Sequence, residues 1–150
     1  MSKEIFKAVE IDGRSFSIRK FDAKTGLQIA RLILTKLSGL MPSLMGGEDL
    51  SGDKMYGLLF DALANITDTD LDSLVNKCLR VCYENLAAGR APVMHDTGHY
   101  GVEDVEFDMI LTIKLCVEAI MWGAADFFGE NSSRLQALIP SGISKLQPQT

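Results

Sequence analysis

The sequence predicts a mainly helical α+β fold: an N-terminal β-hairpin, about four helices packed as a small bundle, and an irregular C-terminal tail. Three observations predict it. "EIFKAVEIDGRSFSIRKF" alternates apolar and polar residues around Asp12-Gly13, a preferred two-residue type I′ hairpin turn. Segments beginning at Asp22 and Thr67 carry apolar residues at helical spacing behind a side chain able to cap a helix. The third is "MILTIKLCVEAIMWGAADFF", residues 109–128, apolar enough to suggest a membrane span yet interrupted by Lys114, Glu118 and Asp126. An ionisable group near a bilayer centre costs several kcal/mol unless it is paired, so a charge every turn or two argues for a buried helix of a soluble protein and against lipid.

The 150 residues are 47% hydrophobic and 23% charged, which suits one domain with a core, expected over residues 1–129, followed by a flexible tail over 130–150. "MSKEIFKAVEIDG" lacks the apolar run of a signal peptide, and three cysteines form no paired framework; both fit the cytoplasm. The net charge of −5 is unevenly spread. Residues 1–36 hold eight Lys/Arg against four Asp/Glu, and the remainder seven against sixteen. Phosphate-backbone binding needs several Lys/Arg contacts, so the acidic bulk argues against a nucleic-acid partner. The basic N-terminal part then lies on the acidic remainder, is merely solvated, or recruits an acidic partner.

Pairing across Asp12-Gly13 sets Ile5, Val9 and Ile11 on one face with Phe16 and Ile18. A two-stranded hairpin is marginal in water, so that face must lie on helices or join another sheet. Asp22 opens a helix to about Leu37 through Leu27, Ala30, Ile33 and Leu34. The stretch Leu40–Gly52, with Pro42 and several glycines, reads as a long loop. A short helix from about Asp53 to Asn65 offers Met55, Leu59, Leu63 and Ile66. Thr67 and Asp70 resemble a capping box for a third helix to about Ala88, whose seam is Leu71, Leu74, Val75, Cys78, Leu79, Cys82 and Leu86, with Gly89 as its stop. "RAPVMHDTGHYGVED" is a loop that admits a short strand at Pro92–His95.

On a helical wheel over residues 105–128, Ile110, Ile113, Val117, Ile120, Ala124 and Phe127 form a core stripe with Met121 and Phe128 at its edge. Asp104, Glu106 and Asp108 favour the helix start, and Gly129 its end. Leu111, Leu115 and Trp122 fall on the other side, among Lys114, Glu118 and Asp126. This second stripe is either covered by another helix of the domain or, together with Phe128, a surface for a partner helix.

Cys78, Cys82, His95 and His99 satisfy the C-x3-C-x12-H-x3-H spacing of a zinc finger. Their context does not suit one, because the cysteines lie in a helical seam and the histidines among Pro92, Gly98 and Gly101. Structural cysteines with loop histidines are the simpler reading, and a metal site of another geometry stays open. No nucleophile elbow, metalloprotease, phosphate-loop or dinucleotide motif occurs, and the acids Asp68, Asp70 and Asp72 fit a helix start. No catalytic residue, cofactor or metal is therefore assigned.

The order of elements, with "IRKFDAKTG", "CLRVCYENLAAGRAPV" and "DMILTIKLCVEAIMWGAADFF" in succession, resembles the tail assembly chaperones of long-tailed bacteriophages over about residues 4–128. The resemblance implies a non-enzymatic protein of the host cytoplasm, absent from the mature virion. It would bind the tape measure protein and keep that long helical chain soluble until tail-tube subunits assemble around it. It also implies a frameshifted longer form as a companion. Homo-oligomers are expected from the surplus apolar stripe. The last helix departs from the family pattern at Trp122-Gly123, where Asn is expected. A structural tail component, such as a connector or completion protein, and a metal-binding regulator are the alternatives.

Overall fold

The structure, a computed structural model, describes residues 5–37 and 52–128, with residues 52, 53, 55 and 124–128 as backbone only. The expected Leu40–Gly52 loop, but for its final glycine, the Gly129 stop and the 130–150 tail lie outside the described residues. Strands β1 (Phe6–Ile11) and β2 (Arg14–Arg19) form the expected hairpin. Asp12 and Gly13 both take positive φ, 53° and 77°, as a type I′ turn requires. Helix α1 (Ala23–Lys36) begins where Asp22 accepts the Thr25 N–H at 3.3 Å. Helices α2 (Gly52–Leu63) and α3 (Asp68–Leu79) follow, and Thr67 Oγ1 accepts the Asp70 N–H at 3.1 Å to cap α3.

The third helix does not reach Ala88. It stops at Leu79, and Cys82–Leu86 is strand β3, which forms a second hairpin with β4 (Gly89–Pro92). Cys82 and Leu86 continue the i, i+4 seam of Cys78, but so short a run carries too little information to tell a helix end from a strand. Tertiary pairing chooses: the Arg19 N–H donates to Val81 O at 2.8 Å, and β2 pairs with β3 from Ile18↔Cys82 to Phe16↔Glu84. The antiparallel sheet has the order β1-β2-β3-β4, so the hairpin face that could not stand alone joins a larger sheet. A 3-10 turn at Glu103–Phe107 replaces the expected first turn of the last helix. Helix α4 (Met109–Phe128) starts after Asp108, whose Oδ1 accepts the Leu111 N–H at 3.0 Å.

Helix α4 lies between the inner face of the sheet and the pair α2 and α3, with α1 alongside. Phe16 and Ile18 from the sheet, Ile29 and Ile33 from α1, Leu59 from α2, Leu74 and Leu79 from α3, and Leu111 and Leu115 from α4 are all at most 1% exposed. Burying each aliphatic side chain stabilises the fold by about 1.5–3 kcal/mol before chain entropy is counted. Gly123 serves this packing: a Cβ there would lie 2.5 Å from Cδ2 of Phe21, so the bare backbone gives the ring its seat. Among the described residues no helix is long and apolar enough to cross a membrane. The question posed by "MILTIKLCVEAIMWGAADFF" is thus answered by a central helix covered from two directions.

Candidate functional site

The second stripe of α4 faces the protein's own fold. Leu111 is 1% and Leu115 0% exposed, and the Leu115 carbonyl lies 3.8 Å from the Cys82 thiol on β3. Trp122 is half-buried, with its indole N–H donating to Ile5 O at 2.9 Å and the ammonium groups of Lys20 and Lys7 at 4.8 and 5.8 Å from the ring centre. Such cation–π contacts hold the start of β1 against α4. The charged rim is engaged too: Lys114 pairs with Asp12 at 2.9 Å, and the Tyr56 hydroxyl donates to Glu118 at 3.4 Å. Phe128 belongs to α4, but its side chain lies outside the described residues. Leu111 and Leu115 are thus part of the core of the chain's own fold.

An apolar groove opens on the other flank of α4. With a volume of about 700 Å³, it runs between α2, α3, the 3-10 turn and the first turns of α4. Leu59, Leu63 and Phe60 from α2 line one wall, and Leu71, Leu74 and Val75 from α3 another. Tyr100, Phe107, Met109, Thr112, Ile113 and Cys116 complete it. Most of these residues are closed in, but Phe60 is 55% exposed, Phe107 86% and Met109 70%, with Ile110 beside them at 56%. Exposed large apolar residues lining one groove, as Phe60, Phe107 and Met109 do, are a common mark of an interaction surface.

Local sequence explains why they stand out. Phe107 ends the 3-10 turn and Met109 opens α4, so both exposed side chains flank Asp108, which caps the helix at the corner between the two elements. Thr112 Oγ1 donates to Asp108 O at 2.9 Å and fixes that corner. Arg14 braces it from behind. Its guanidinium donates twice to Glu84, at 2.9 Å each, and reaches Asp104 of the 3-10 turn at 2.6 Å. Bidentate pairs of this kind are directional and hold their partners in register. Arg14 holds the Asp104 carboxyl below its ordinary pKa by hydrogen bonding.

The electrostatics of the groove have one sign. Its charged lining residues are Asp61 and Glu106, both exposed, and among the described residues no Lys or Arg lines it. Burial, then the charges of Glu106, Cys116 and Asp72, push the Tyr100 phenol above its ordinary pKa. Ile110, expected in the core stripe of the helical wheel, is 56% exposed because it sits in the first turn of α4, and Phe60 and Phe107 are exposed residues that no periodic pattern singles out. The signal available was Phe60 lying one residue off the Leu59–Leu63 seam, and "VEFDMI" setting three large apolar residues around a capping aspartate.

The zinc-finger spacing dissolves in three dimensions. Cys78, Cys82 and Cys116 are buried in the core, whereas His95 and His99 sit on an exposed turn, closed by a 2.8 Å bond from His95 N–H to His99 O. Burial pushes the Cys82 thiol pKa up, and the contact with Cys116 together with burial raises that of Cys78, so both are protonated thiols. Among the described residues no group of three His, Cys, Asp or Glu side chains is placed to hold a metal ion.

No curated protein and no solved structure matches the chain. A family model described as "Phage tail assembly chaperone protein, TAC" matches residues 12–136, which take in β2, all four helices, the second hairpin and the groove. That span is most of the sequence, and the chain belongs to the phage tail assembly chaperone family, a non-enzymatic family.

Proposed function

We propose that this protein binds the tape measure protein of its phage in the host cytoplasm and keeps it soluble until tail-tube subunits enclose it, leaving before the virion is complete. The observation that carries this reading is an open apolar groove, edged by Phe60, Phe107 and Met109, on a member of a chaperone family. A chaperone for a long helical chain needs apolar surface to exchange for the client's own, and enough charge around it to stay dissolved. The fixed frame of α2, α3 and α4 supplies the first, and the net charge of −5 the second. Self-association and pairing with a frameshifted longer form belong to the same proposal.

Co-expression tests it. With the tape measure gene alone the product is expected in the pellet; with this protein present it moves to the supernatant and the two co-purify. A tape measure protein that stays insoluble, or the present chain found at fixed stoichiometry in purified virions, would replace the chaperone reading with that of a structural tail component.

A further inference from the structure

We infer that the groove between α2, α3 and α4 takes an amphipathic helix whose apolar stripe is flanked by lysines and arginines; this rests on the chaperone reading and names the kind of client segment it engages. The shape argues for a helix. The groove is walled by two helices and a third forms its floor, and a row of side chains at i, i+3, i+4 and i+7 fills such a channel while the partner's backbone stays satisfied internally. The walls of the groove are helices, whose backbone groups are paired internally and whose side chains at Leu63, Leu74 and Val75 are apolar, and among the described residues no strand edge borders it.

Charge then selects among helices. Asp61 and Glu106 line the groove from two separate elements, α2 and the 3-10 turn, so a helix lying in it meets acids contributed by both. Asp72 adds to the same field, since its charge acts on the Tyr100 hydroxyl together with that of Glu106. A helix edged by glutamates would bring like charges together in a partly apolar setting, while one edged by lysines or arginines would complete an ion pair on either flank. A second copy of the chain is the competing occupant, because α1 exposes Leu27 between Lys24 and Arg31. Leu27 is 62% exposed, but Ile29, Ala30 and Ile33 of that helix are buried in its own core, so α1 has no row of side chains with which to fill the groove.

The test uses the full-length protein and two fluorescein-labelled synthetic peptides, stapled as helices, that share one leucine stripe and differ in having lysine or glutamate at every flanking position. Fluorescence anisotropy is expected to give the lysine peptide at least about tenfold tighter binding at low salt, with the gap narrowing as ionic strength rises. The double variant Asp61→Lys, Glu106→Lys should lose or invert that preference. Phe107→Ser with Met109→Ser should weaken both peptides by about tenfold or more. All four positions are exposed, and circular dichroism melting checks that the variants fold. Equal affinity for the two peptides, a preference untouched by charge reversal, or binding indifferent to Phe107→Ser with Met109→Ser overturns the assignment. So does a stable oligomer that Phe107→Ser converts to monomer, which would give the groove to a second copy. If the peptides fail while the parent protein still carries the tape measure protein into the supernatant, the groove assignment falls and the chaperone reading stands.

Discussion

The two flanks of α4 are built from the same kind of residue and have opposite fates. Toward the sheet, Leu111 and Leu115 are sealed at 1% and 0% exposure; toward the groove, Met109 stands 70% exposed at the start of the helix, with Ile110 next to it in the chain at 56%. Hydrophobicity does not separate them, since leucine, methionine and isoleucine are about equally costly to leave in water. What separates them is the cover. On one flank the sheet supplies a continuous surface through Phe16, Ile18 and Cys82, whereas on the other α2 and α3 leave a channel that no described residue closes. An apolar helix is thus a demand for cover, and the rest of the fold decides which part of that demand is left for another molecule to meet.

The sharpest way to break the comparison is Leu115→Ala. If the sheet flank is core, removing the side chain leaves a cavity that costs about 3–5 kcal/mol, lowering Tm by roughly 10 °C or more before any partner is added. A melting curve within a few degrees of the parent would show that this flank is not sealed and would return Leu115 to the candidate interface.

A smaller effect is expected behind the groove. Arg14→Gln leaves Glu84, 12% exposed, without its bidentate partner and frees the 3-10 turn, for a loss of about 1–3 kcal/mol in chemical denaturation. The accompanying pH dependence has a definite sign. The Asp104 carboxyl is held below its ordinary pKa in the folded protein, chiefly by hydrogen bonding to Arg14, so its contribution is complete above about pH 4–5 and is lost as the pH falls through the depressed value. Stability should therefore decline more steeply with acid in the parent than in Arg14→Gln. Because Asp104 is 62% exposed, solvent screening keeps the difference small, and parallel acid titrations of the two proteins would disprove the brace.

Trp122→Phe probes the edge of the closed flank. The ring's apolar contact is largely kept, but the 2.9 Å bond to Ile5 O is lost, so about 1 kcal/mol is expected. Backbone amides of β1 should exchange with solvent faster in the variant, and unchanged exchange would mean that the indole does not anchor the strand.

The smallest stability change belongs to the open flank. Phe107→Ser should move Tm by no more than about 2 °C, since a side chain 86% exposed has little packing to lose. A loss comparable to that of Leu115→Ala would mean that the groove is covered in solution.

Much of this molecule follows from short-range chemistry. Asp12-Gly13 specifies a turn because both residues tolerate positive φ. Asp22 and Thr67 specify helix starts because their oxygens reach N–H groups that no helix can satisfy internally. The need of the first hairpin for further cover was legible as well, since two strands cannot bury a face by themselves. The candidate groove was not legible. Its residues come from four stretches between Leu59 and Cys116, and periodicity within any one of them says which side is apolar without saying how far the neighbours will stand apart.

The sequence by itself determined the turn, the caps, the amphipathic helices and the conflict inside "MILTIKLCVEAIMWGAADFF", because each depends on atoms within a few residues of one another. Only the tertiary structure decided that Cys82–Leu86 would be a strand and that Leu111 and Leu115 would be core while Phe107 and Met109 stayed open. These outcomes are competitions between long-range partners: the β2 edge offers backbone hydrogen bonds that a continued α3 would forgo, and a closed sheet surface covers one flank of α4 where two separate helices do not. Local preference for either result is a few tenths of a kcal/mol per residue, so burial and pairing across the chain settle the choice.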